Sequence, residues 1–82
     1  MSTYRDMSSL TISRERLDSR LEELHRSIDY LQARAGMAIE ASRADLALDA
    51  LTRRSAVLAQ MAAVAAERDA LRAEESKPTP AR

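Results

Sequence analysis

Apolar residues recur in steps of three and four along most of this chain, and no proline stands before Pro78. A spacing of that kind, unbroken by a helix breaker, restricts the fold to helix packed on helix. In the first half Leu10, Leu17, Leu21, Leu24, Ile28, Leu31, Ala35 and Ala38 follow the heptad spacing, with Arg14 as its exception. Ser13 is a plausible N-cap, and Arg14 with Asp18 and Glu22 with Arg26 are supporting pairs one turn apart.

The second half reads differently. Leu46, Ala50, Val57, Met61, Val64 and Leu71 form one seam, and Ala47, Leu51, Leu58, Ala62 and Ala65 form another beside it. Residues 55–66 carry no charge at all. A helix that is apolar over so wide an arc is normally covered on more than one side.

Between the halves, Ser42, Arg43, Ala44 and Asp45 match a capping box, in which a hydroxyl and an acid three residues on satisfy the first amides of a new helix. A turn at residues 40–45 follows, with helices over about 13–42 and 45–75; one continuous helix is the alternative. Leu17, Leu21, Leu24, Ile28, Leu31, Leu46 and Leu71 are then the core of an all-α, antiparallel two-helix coiled-coil hairpin. Residues 1–11, rich in Ser and Thr, and residues 76–82, with Pro78 and Pro80, are expected to be flexible tails flanking a helical unit over 12–75.

Size decides what such a hairpin needs. At 82 residues a self-sufficient core is hard to build, and small chains compensate with disulfides, a metal or association. There is no cysteine, and His25 is the sole histidine, so association remains. The residues assigned to contacts between chains are Leu51, Val57, Leu58, Met61, Ala62, Val64 and Ala65. They would join two hairpins into a four-helix bundle, a homodimer, or dock one hairpin on another helical protein.

Thirteen basic and thirteen acidic side chains are interspersed, which gives no field to attract nucleic acid. Peripheral membrane helices combine an apolar face with Lys and Arg, so membrane contact is disfavoured. Residues 1–6 lack the apolar core of a secretory signal, and a cytoplasmic location is the expectation.

Residues 32–51 resemble the hairpin tip of the phage shock protein A family, which includes the plastid vesicle-inducing proteins. The positions that carry the resemblance are Ala35, Ala38, Ile39, Arg43, Asp45, Leu46, Ala47, Ala50 and Leu51. It implies two long antiparallel helices turning just before Asp45, and a membrane-stress protein that assembles into rods or rings. The family's N-terminal membrane helix and later helices have no counterpart here. Leu31 stands where bacterial members carry a tryptophan linked to regulator binding.

No constellation points to catalysis. Glu22 with Glu23 and Glu74 with Glu75 are carboxylate neighbours that a small hairpin gives no pocket to desolvate. No phosphate loop, nucleophile elbow or redox pair occurs, so a non-enzymatic chain without cofactor is expected. His25, between Glu22 and Asp29, reads as a solvated flank residue rather than a pH sensor. Arg53 and Arg54 read as ordinary surface arginines, and Met37 and Met61 as gap-fillers in a helix seam.

Overall fold

The structure, a computed structural model, describes the backbone of residues 3–76 and the side chains of residues 9–76. Two helices make it up: α1, Thr3–Glu40, and α2, Ala44–Ser76. They pack along their length as an antiparallel hairpin, a rod 67 Å long and 14 Å across. No strand occurs among the described residues.

The helix seam is a strict heptad pattern on both sides. Along α1, Leu10, Arg14, Leu17, Leu21, Leu24, Ile28, Leu31, Ala35 and Ala38 are buried or half-buried. Along α2 the same holds for Ala47, Ala50, Arg54, Val57, Met61, Val64, Arg68, Leu71 and Glu75. Among the described residues from 12 to 76, only Asp18 and Ala65 are also withdrawn from solvent. Steps of three and four keep one stripe of each helix turned to its partner, which is the geometry of a coiled coil. Arg14 is therefore a seam position and not a gap in the seam.

Among the described residues, two ion pairs between the helices fix their register. Arg14 Nε donates to Glu75 Oε1 at 2.9 Å, and Arg68 Nη1 reaches Asp18 Oδ1 at 3.4 Å. Leu24 then stands near the level of Val64. The seam changes character along the rod. Near the turn it is built of Ala35, Ala38, Ala47 and Ala50, all buried, and small side chains let helices approach closely. Among the described residues, Leu24 and Ile28 are the two large buried ones. At the open end the apolar seam gives way to the charges of Arg14, Arg68 and Glu75.

The connection is a Schellman turn. The Arg43 amide donates to the Ala38 carbonyl at 2.8 Å, and the Ser42 amide to the Ile39 carbonyl at 3.0 Å. Ser42 takes the left-handed conformation, with φ of 58°. The next helix starts from Arg43, whose carbonyl accepts the Ala47 amide at 3.0 Å. Ser42, Arg43 and Asp45 thus all lie in or beside the turn, but the expected capping box is not there. Ser42 closes α1 instead of opening α2, and Asp45 is the second residue of α2. Arg43 clamps Asp45 through Nε and Nη2, at 3.3 and 3.1 Å.

Three expectations are corrected by these bounds. Residues 3–11 are helical, not a tail, and Ser13 is inside α1. Ser and Thr cost a helix only about 0.5 kcal/mol each relative to Ala, too little to stop it where no Gly or Pro intervenes. The helices meet at residues 40 and 44 rather than 42 and 45. Leu46 is 43% exposed and outside the core, its place taken by Ala47, because the seam of α2 runs one residue later than apolar content suggests. Residues 1, 2 and 77–82 lie outside the described residues, and with them most of the expected C-terminal tail.

Candidate interaction surface

The heptad leaves two edges where the helices meet solvent side by side. On one, here the Leu58 edge, α2 contributes Leu48, Leu51, Leu58, Ala62 and Ala65, and α1 contributes Asp18, His25 and Ile39. The positions 51, 58, 65 and 72 recur every seven residues and so form one row directly beside the seam. A shallow groove of about 1000 Å³ runs along this edge. Leu21, Leu58, Met61, Ala62 and Ala65 line it, with Glu22, Arg68 and Arg72 among its charged residues.

Leu51 and Leu58 are 41% and 40% exposed, while Ile39 and Leu48 are exposed by 64% and 67%. Ala62 is exposed and Ala65 half-buried. These residues form an apolar strip that the partner helix does not cover. Val57, Met61 and Val64, assigned from sequence to contacts between chains, are half-buried seam positions and belong to the hairpin's own packing. Leu17, Leu21, Leu31 and Leu71 are half-buried in that same seam, and Leu24 and Ile28 buried.

The opposite edge, the Tyr30 edge, is more polar. Arg34 donates to the Tyr30 hydroxyl at 2.9 Å and also lies over its ring, 5.7 Å from the centroid. The hydrogen bond to Tyr30 raises the Arg34 pKa above its ordinary value. Met37 and Leu46 are exposed nearby, around a cleft of about 440 Å³ that Arg34 and Arg43 also line. Met37 is therefore a surface residue and fills no gap in the seam. Arg53 is paired with Asp49 at 3.1 Å. Arg54 is half-buried in the seam, its Nε without a hydrogen-bond partner, and is not the ordinary surface arginine expected.

Exposure is unevenly shared between the ends. Among the described residues, seven of the eight exposed large apolar side chains lie between residues 30 and 58, the half nearest the turn, with Ile12 the eighth. The open end carries the charge cluster: Arg14 with Asp18 at 2.8 Å and with Glu75, and Arg68 with Asp18 and Asp69. The hydrogen bonds that Arg14 donates to Glu75 and Asp18 raise its pKa, and those that Arg68 donates to Asp69 and Asp18 raise that of Arg68. One oxygen of Glu75, Oε2, is buried without a partner. At the turn, hydrogen bonds from Arg43 and then from the Leu46 amide hold the Asp45 carboxyl below the ordinary carboxylate range.

His25 is exposed, 3.9 Å from Asp29. Among the described residues no three His, Cys, Asp or Glu side chains gather where they could hold a metal ion. No helix among them is long and apolar enough to cross a membrane. The chemistry the arrangement offers is that of an apolar row on α2, from Leu48 to Ala65, flanked along the same groove by Asp18, Glu22, Arg26, Arg68 and Arg72. Comparison with protein-family models, curated proteins and solved structures found no match to this chain.

Proposed function

We propose that this chain is a non-enzymatic helical-hairpin interaction module that self-associates, two hairpins packing into a four-helix bundle. The observation that carries the reading is the area left in water. Leu51 and Leu58 are 41% and 40% exposed and Ile39 and Leu48 64% and 67%, an apolar row on one edge that the partner helix leaves in water. The core points the same way, because four of its six buried residues are alanines, which contribute little apolar area.

Size-exclusion chromatography with light scattering over a dilution series tests this. The expected mass is twice 9.1 kDa at high concentration, falling on dilution. A helical monomer at every concentration overturns it.

A second reading, contact with a membrane surface, draws on Met37, Ile39 and Leu48, exposed around the turn, and on the phage-shock-like resemblance of residues 32–51. The balanced charge speaks against it. Co-sedimentation with anionic vesicles separates the two, since only this reading expects the chain to pellet.

A further inference from the structure

We infer that the fold-back of this chain is fixed by the phase of its heptads rather than by the chemistry of its turn, so that the hairpin has no swapped form in which two straightened chains exchange their α2 helices. This property belongs to the single chain. Copies that associate, as proposed above, do so as closed hairpins.

The turn by itself is a weak stop. No Gly or Pro stands between Gly36 and Pro78. Ala41, Ser42 and Arg43 form the whole connection, and Ser42 is held at a φ of 58°, which an L-residue adopts at a cost. Ala and Arg are among the best helix formers, so running α1 straight into α2 would relieve that cost and add helical hydrogen bonds. A straightened chain is also the form that exchanges helices, because the contacts of α1 with α2 would be remade between two copies.

The seam forbids it. Counting steps of four and three onward from Ala35 and Ala38 puts the seam of an uninterrupted helix at residues 42, 45, 49 and 52. The seam of α2 runs instead through Ala47, Ala50, Arg54 and Val57, the same steps begun two residues early. Two residues are about 200° of helix rotation, so in a straightened chain the two seams would face nearly opposite ways. Two such chains can match α1 to α2 along one half of their length only. Along the other half both seams are left in water, with Leu24 and Ile28 or their counterparts on α2 among them. The closed hairpin matches the whole seam within one chain.

Two deletions separate phase from turn, since both remove the connection. Removing residues 40–44 brings Ala47 to the place of residue 42 and puts the halves in phase, whereas removing residues 41–43 leaves them about 200° apart. Ser19→Cys with Ala70→Cys, in a chain that has no other cysteine, labels both helices near the open end. With labelled chain diluted into unlabelled, energy transfer should read on the order of 20 Å in a closed hairpin and about 70 Å in a straightened chain. The long distance, in a helical dimer by light scattering, is expected when 40–44 are removed. It is not expected when 41–43 are removed, nor in Ser42→Ala, which favours helix at the turn and leaves the phase untouched. A long distance in either of these, or a short one after removal of 40–44, would show that the turn decides the topology and would overturn the inference.

Discussion

Leu24 and Leu58 make a contrast that a pair of truncations turns into numbers. Leu24 is 5% exposed in the single chain, so Leu24→Ala removes packing that the hairpin makes with itself. Such a change costs about 2–5 kcal/mol. A chain of 82 residues has a total stability of roughly 4–12 kcal/mol, so much or all of the helical signal should go. Leu58 is still 40% exposed, and only a second chain can bury that remainder. Full burial of a leucine is worth about 1.5–3 kcal/mol, which makes the remainder about 0.6–1.2 kcal/mol per chain and twice that per dimer. Leu58→Ala should therefore raise the dimer dissociation constant roughly ten- to fifty-fold. The monomer it releases should remain helical at high dilution. Sedimentation equilibrium gives the constant and circular dichroism the helicity. If Leu58→Ala leaves the constant unchanged, or if both variants lose helix equally with no separable monomer, the division between inner seam and outer strip is mistaken.

Other consequences follow from the turn and the charged end. Ser42 holds a left-handed φ of 58°, a conformation that costs an L-residue about 1–2 kcal/mol and glycine nearly nothing; Ser42→Gly should raise the melting temperature by about 4–8 °C per kcal/mol recovered. Glu75→Ala leaves Arg14 half-buried with only Asp18 for company and should lower the melting temperature, whereas Arg14→Leu combined with Glu75→Leu should restore it. A carboxyl whose folded pKa is lowered contributes stability above its ordinary pKa and loses it as pH falls through the folded value. For Asp45 that window lies below about pH 4, so Asp45→Asn should flatten the acid limb of the stability profile there.

The fold was legible because its signals were periodic and local. Alternating steps of three and four through Leu17, Leu21, Leu24, Ile28 and Leu31 need no tertiary information, and the absence of proline before residue 78 leaves only helix to carry them. What misled was reading apolar content as orientation. Arg14, Arg54, Arg68 and Glu75 keep the heptad step while breaking its hydrophobicity, so a search for apolar rows shifted the phase of α2 by one residue near the turn. Leu46 was drawn into the core and Ala47 out of it, although an alanine fits where helices come closest. Counting positions through the charged residues would have found both rows.

The outer strip was half legible for the same reason. Leu51, Leu58, Ala62 and Ala65 form the row beside the seam and were found by spacing. Val57, Met61 and Val64 joined them only because the uncharged run over 55–66 blurs where one row ends and the next begins. The turn shows a different ambiguity. Ser42 with Asp45 is the pattern of a capping box, and choosing between that and a Schellman closure depends on the φ of Ser42, which residue type alone does not dictate.

The dependence of thermal stability on protein concentration tests the central claim most directly. If two hairpins cover each other's apolar strip, unfolding releases two chains, and the melting temperature must rise with concentration. For a dimer of two such chains the rise should be about 4 °C for each tenfold increase, from the usual unfolding entropy per residue. Circular dichroism melts over a thousand-fold range of concentration would show it. A melting temperature that stays constant over that range would show that no second copy covers its strip.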